Sequence, residues 1–183
     1  MALSEFQTLK MTKLFQFWDI NNTETLEQSD YLEIIDRVLA ERGWQQDSPE
    51  YDSIYTVIMT NWAQIEHFAD KDNGGVTLSD WLAYCDHVVN DATAYRVNAM
   101  EVMSALLGAV DTDSDGQLTL DDFKMWFRIF KASDTQAKTA FARLDTDRSG
   151  ELSISEIIDA LDDFYHSNAV SVAGNHLFGE LPS

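Results

Sequence analysis

The sequence predicts an all-α protein of four helix–loop–helix units, packed compactly as two pairs. Three observations lead there. Residues 111–122 read Asp-Thr-Asp-Ser-Asp-Gly-Gln-Leu-Thr-Leu-Asp-Asp, and residues 145–156 read Asp-Thr-Asp-Arg-Ser-Gly-Glu-Leu-Ser-Ile-Ser-Glu, the same twelve-residue pattern displaced by 34 residues. Both copies are flanked by apolar residues recurring every three or four positions, the period of a helix face. Weaker echoes begin at Asp19 and run through Val76-Thr77-Leu78-Ser79-Asp80-Trp81, so the repeat extends over the chain.

A hard divalent cation takes six to eight oxygens around one point. A twelve-residue loop supplies them from positions 1, 3, 5, 7, 9 and 12, with Gly at position 6 permitting the sharp turn. In the first unit the loop 19–30 offers Asp19, Asn21, Thr23, Thr25 and Asp30 at positions 1, 3, 5, 7 and 12, with Glu27 at position 9 as a further candidate carboxylate. Its chemistry is the weaker for the neutral oxygens at Asn21 and Thr23. Glu24 stands where the turn wants Gly and must take an unfavourable backbone conformation. Tyr31, Ile34, Ile35, Val38 and Leu39 then mark one face of the following helix.

The second unit aligns Val76–Trp81 with Leu118–Phe123, which makes 69–80 its loop, with Ala69 at position 1, Lys71 at position 3, Asn73 at position 5 and Gly74 at position 6. Ala has no side-chain oxygen, and a Lys ammonium would face the cation it should coordinate. Moving the frame by one residue puts Asp70 and Asp72 at positions 1 and 3 but leaves Trp81 at position 12. The first frame keeps Trp81, Tyr84 and Cys85 on the apolar face, and 69–80 then reads as a degenerate loop without metal. Before it, Asp47-Ser48-Pro49-Glu50 signals a helix start after a break at Gly43.

The third loop presents Asp111, Asp113, Asp115, Gln117 and Asp122; the fourth presents Asp145, Asp147, Ser149, Glu151 and Glu156. Met103, Leu106, Leu107 and Val110 precede the third loop, and Phe123, Trp126, Phe127 and Phe130 follow it. Ile157, Ala160, Leu161 and Phe164 follow the fourth. Ser153…Glu156 and Ser133…Gln136 read as capping boxes opening helices. Position 12 ordinarily carries a Glu that clamps the cation with both oxygens. Glu156 satisfies this; Asp30 and Asp122 are one methylene shorter, which predicts magnesium-tolerant or weaker calcium sites at the loops they close.

The balance of 12 basic against 32 acidic residues, net −20, excludes nucleic acid and anionic lipid as partners and favours cations. Three bound dications would reduce the net only to −14. Cys85 is the single cysteine, and the first six residues lack the basic and apolar segments of a secretion signal, so a cytoplasmic, soluble protein with no membrane association is expected, acting as a monomer. The sequon Asn21-Asn22-Thr23 falls inside the first loop and reads as chance. Residues 1–92 form the N-terminal pair and 93–183 the C-terminal pair with its tail. No Gly, Pro or Ser cluster lies between them near Asn90–Ala94, so the halves are expected to pack together.

With four such units, a silent second loop, a long first connection and the closing Gly174-Asn175-His176-Leu177-Phe178-Gly179, the chain resembles the EF-hand proteins of the sarcoplasmic calcium-binding and calerythrin type. The resemblance implies two hand pairs, two or three calcium ions, some magnesium, and no catalysis. Three functions then compete. A calcium buffer or signal modulator is the first. A sensor that opens an apolar groove to a partner protein is the second, with Met100, Met103 and Met125 as groove candidates against a plain core reading. The third borrows from luciferin-binding proteins and photoproteins, with Trp18, Trp44, Trp62, Trp81 and Trp126 and His67, His87, His166 and His176 lining a cavity. No nucleophile–base arrangement, phosphate loop or zinc spacing suggests an enzyme, and Asp162 with Asp163 reads as a solvated helix face.

Overall fold

The computed structural model describes residues 2–69 and 74–181. The chain is predominantly helical. Helix α1 (Glu5–Trp18) leads through the first loop to strand β1 (Thr25–Leu26) and α2 (Gln28–Arg42). Helix α3 (Pro49–Glu66) leads to β2 (Val76–Thr77) and α4 (Leu78–Asn90). A short α5 (Ala92–Tyr95), a π-helical turn (Arg96–Met100) and α6 (Glu101–Val110) form the approach to the third loop, followed by β3 (Gln117–Leu118) and α7 (Leu120–Ile129). Helix α8 (Asp134–Leu144) approaches the fourth, followed by β4 (Leu152–Ser153), α9 (Ile154–His166) and a 3-10 turn (Ala173–His176).

Local chemistry sets these boundaries. Each outgoing helix is capped by the residue at loop position 9, whose backbone N–H is held by the carboxylate of position 12. Glu27 N–H donates to Asp30 at 2.8 Å, Thr77 to Asp80 at 2.9 Å, Thr119 to Asp122 at 3.0 Å and Ser153 to Glu156 at 2.9 Å. The position-12 acid therefore caps its helix as well as closing its loop. Ser48 caps α3 with Pro49 in the first turn, and Gly43 ends α2 at φ 66°, as the sequence indicates. The chain passes from α4 to α5 through Asp91 alone, whose side chain accepts from the N–H groups of Thr93 and Ala94.

The loops meet in pairs. β1 and β2 are antiparallel with Leu26 opposite Val76, and β3 and β4 are antiparallel with Leu118 opposite Leu152. All four of these residues are fully buried. Leu26, Leu118 and Leu152 each hold position 8 of their loops, so the register puts Val76 at position 8 as well. The frame beginning at Ala69 has this register. Gly74, at position 6 of this frame, has φ 72°, matching Gly116 at 84° and Gly150 at 89°. Lys71, Asn73, Asp70 and Asp72 lie outside the described residues.

One apolar core runs through both halves. Trp18 stacks on Tyr31 at 4.8 Å, Phe17 stacks on Phe130 at 4.4 Å, and Phe178 from the closing segment packs edge-on against Phe17, Trp126 and Phe164. Met103 is buried; Met100 and Met125 are half-buried against the same core. Helix α2 crosses α7, where Arg37 donates from Nε to the Ile129 carbonyl at 2.6 Å and from Nη2 to the Arg128 carbonyl. No helix among the described residues is long and apolar enough to cross a membrane.

Candidate metal centre

In the third loop the carboxylates of Asp111, Asp113 and Asp115 converge, with oxygens within 4.8 Å of one another. Asp111 is buried at the base. Its oxygens accept from Ser114 N–H at 2.8 Å and Gly116 N–H at 3.1 Å, which folds the loop around it. Asp115 accepts from Gln117 N–H at 2.8 Å, and Gln117 enters β3. Asp122 is also buried but stands outside the converging triad. Its Oδ2 holds the N–H and hydroxyl of Thr119, and its Oδ1 accepts from the Thr112 hydroxyl at 2.8 Å.

The fourth loop differs in one respect. Asp145, Asp147 and Glu156 converge within 4.8 Å, so here the position-12 acid does reach the cluster. Glu156 spends Oε2 on the N–H and hydroxyl of Ser153 at 2.9 and 2.8 Å, and its extra methylene extends the carboxylate toward Asp145 and Asp147. Asp145 accepts from Ser149 N–H at 3.0 Å and Gly150 N–H at 3.1 Å. The Ser149 N–H also holds the Asp147 carboxyl below its usual range. The Ser149 hydroxyl turns to the Glu151 carbonyl at 2.8 Å, placing two neutral oxygens side by side.

The first loop keeps the same plan with fewer charges. Asp19, buried, accepts from Thr23 N–H at 3.0 Å and Glu24 N–H at 2.9 Å. Asn21 Oδ1 accepts from the same Thr23 N–H, and the Thr23 hydroxyl donates to the Thr25 carbonyl at 3.1 Å. Glu24 has φ 64°, the left-handed conformation that position 6 demands. Asp30 is fully buried, and burial raises its carboxyl above the ordinary value; the N–H groups of Glu27 and Asn21 pull it down, while Asp19 adds to the rise. In the second unit Asp80 performs the capping half of the position-12 role, accepting from the N–H and hydroxyl of Thr77.

The third and fourth loops thus gather carboxylate oxygens around a point, the donor set a hard dication requires. In the third and fourth, a converging trio of carboxylates is costly to leave uncompensated, because like charges this close repel. The donor chemistry fits calcium.

The aromatic interior gives a different result. Trp18, Trp81 and Trp126 surround a cavity of about 30 Å³ that Asn61, Tyr84 and Asn98 also line. His67, His87 and His166 lie at the surface, and His176 is half-buried in the closing turn. The π-helical turn, which sequence periodicity does not reveal, carries Asn98 to the Asn61 amide at 3.3 Å.

The EF hand family model matches residues 103–127 and 137–161, the third and fourth units. Those two units are EF hands, the calcium-binding kind of helix–loop–helix. Calerythrin of Saccharopolyspora erythraea is 23% identical over 160 residues, covering 85% of this chain and 90% of that protein. The sarcoplasmic calcium-binding protein of amphioxus superimposes with a TM-score of 0.74 at 19% identity, over 99% of this chain and 100% of that one. The four-unit fold is therefore of the sarcoplasmic calcium-binding protein and calerythrin type. The luciferin-binding protein of Renilla reniformis is 30% identical over 87 residues, covering 45% of this chain and 47% of that protein.

Proposed function

We propose that this chain is a cytoplasmic calcium buffer or signal modulator, monomeric and non-catalytic, with metal sites in the loops 19–30, 111–122 and 145–156. Residues 1–92 and 93–183 supply the two pairs. The ligands are Asp19, Asn21, Thr23, Thr25 and Asp30 in the first loop, Asp111, Asp113, Asp115, Gln117 and Asp122 in the third, and Asp145, Asp147, Ser149, Glu151 and Glu156 in the fourth. Magnesium shares the two loops that end in Asp. The 69–80 loop serves as a structural partner for the first through the β1–β2 pairing.

The observation that carries buffering over sensing is the burial of the closing segment. Leu177 is 0% exposed and Phe178 5%, and they occupy the apolar space between α1, α7 and α9 that a partner helix would otherwise fill. A sensor exposes such a groove on binding calcium. A carrier of an aromatic molecule needs an internal volume of about 300 Å³ or more, against about 30 Å³ between Trp18, Trp81 and Trp126; Trp62 and Trp44 line separate clefts of about 730 and 370 Å³ bordered by exposed residues.

A calorimetric calcium titration with and without magnesium, run beside an apolar-surface dye, tests the reading. Three calcium sites, magnesium competition at two of them and unchanged dye fluorescence are expected. A calcium-dependent rise in dye binding would move the assignment to a sensor.

A further inference from the structure

The first, third and fourth loops treat their position-12 acid differently, and in the third a side chain at position 2 holds it. In the third loop that residue is Thr112, whose hydroxyl donates to Asp122 Oδ1 at 2.8 Å. With Thr119 N–H and hydroxyl on Oδ2 at 3.0 and 2.5 Å, both oxygens of Asp122 are engaged by loop donors. Asp111, Asp113 and Asp115 converge without it. In the fourth loop the side-chain and backbone donors to Glu156 both come from Ser153 and both use Oε2, and Glu156 joins its cluster. Position 2 there is Thr146, so the residue type is the same and only the shorter acid is tethered. In the first loop position 2 is Ile20, which has no hydroxyl, and Asp30 Oδ1 receives only a long 3.4 Å contact from Asn21 N–H.

We infer that Thr112 is a selectivity-determining positioning residue: its hydroxyl holds Asp122 back from the Asp111–Asp113–Asp115 triad and biases the third loop toward magnesium over calcium. Calcium prefers seven or eight oxygens with a bidentate acid, whereas magnesium accepts six and retains waters. A tethered Asp122 denies the second carboxylate oxygen to a large ion at little cost to a small one. The inference rests on the third loop being one of the metal sites.

The test uses the full chain with Thr112→Val, Thr112→Ser and, as a control, Thr146→Val. Gly116 N–H donates to Asp111 and Gly150 N–H to Asp145, so their amide NMR shifts report the third and fourth loops separately. Calcium and magnesium titrations of each variant are read at both glycines. A hydrogen bond to a charged group is large enough that its loss should raise the calcium-to-magnesium preference at Gly116 about tenfold in Thr112→Val. Thr112→Ser should restore the original ratio, and Thr146→Val should leave the ratio at Gly150 unchanged. An equal weakening of both ions in Thr112→Val, or no change in the ratio, would overturn the inference. A Gly116 amide indifferent to both ions in the unmodified protein would overturn the metal site itself.

Discussion

Lys10 Nζ donates to the Ser167 carbonyl at 2.7 Å, tying the first helix of the chain to the end of the last long one. It also donates to the Asp163 carbonyl at 3.1 Å, and it lies over the rings of Phe6 and Phe164. A cation at the C-terminus of α9 satisfies the Ser167 carbonyl, shares the Asp163 carbonyl with the Ser167 N–H, and complements the negative end of the helix dipole. The side chain is 0% exposed.

That burial has a pH signature. Desolvation lowers the Lys10 ammonium to about 8 from 10.5, with Asp163 opposing the shift. Below about pH 8 both folded and unfolded chains hold the proton, and the folded state bears the full cost of burying it. Between about 8 and 10.5 the unfolded chain binds a proton that the folded one has released, so stability contributed by this residue rises with pH. Urea denaturation across that window should show a positive slope for the native chain relative to Lys10→Met. Parallel curves would refute the assignment.

Arg37 caps α7 in the same manner, through the Ile129 and Arg128 carbonyls. Removing it in Arg37→Met takes the side-chain donor from the Ile129 carbonyl, while the Arg128 carbonyl keeps the Lys131 N–H at 3.0 Å, and is expected to cost about 1.5–3 kcal/mol. The neighbouring Arg128–Glu41 pair, at 3.1 Å, is partly exposed, and Glu41→Gln should cost under about 1 kcal/mol. Chemical denaturation of the two variants distinguishes them; equal losses would argue against the capping role.

Glu24 occupies the left-handed conformation at φ 64° where the other loops use glycine. A side chain there costs roughly 1–2 kcal/mol, part of which glycine returns as lost chain entropy. Glu24→Gly should therefore stabilise the metal-free protein by about 0.5–1 kcal/mol and tighten calcium binding at the first loop. Calorimetry showing weaker binding would point instead to a role for the Glu24 carboxylate.

The closing turn can be opened in two independent ways. Phe178→Ala removes a ring that touches Phe17, Trp126 and Phe164 and should cost about 3–5 kcal/mol. At Gly174 an added Cβ would collide with the Ala160 carbonyl and lie 2.7 Å from Asp163 Cβ, so Gly174→Val should lift the turn from α9 at about 1–3 kcal/mol. Both variants should bind an apolar-surface dye that the native chain excludes. Dye exclusion by both would mean that the segment covers no groove.

Much of this protein was legible before folding. The third and fourth loops announce themselves because an oxygen cage is built from residues close in sequence, at spacings the backbone turn imposes. Tyr31, Phe123 and Ile157 follow the loops at helical period, and all three are buried in the core. Even the strain at Glu24 could be read, since position 6 requires the same backbone whichever residue occupies it.

What the linear order left open was settled by contacts between distant segments. The pairing of β1 with β2, which sets Val76 opposite Leu26, joins segments fifty residues apart in the chain. The aromatic residues could have enclosed a ligand together; packing leaves about 30 Å³ between Trp18, Trp81 and Trp126, sets Trp62 and Trp44 on separate clefts, and leaves three histidines at the surface. The shortened acid at position 12 was evident in the sequence, but its tether to Thr112 depends on a hydroxyl ten positions away turning inward as the loop closes. Ligand spacing is a local property of the chain and survives as a pattern; register, cavity size and hydroxyl direction arise only when side chains compete for the same space.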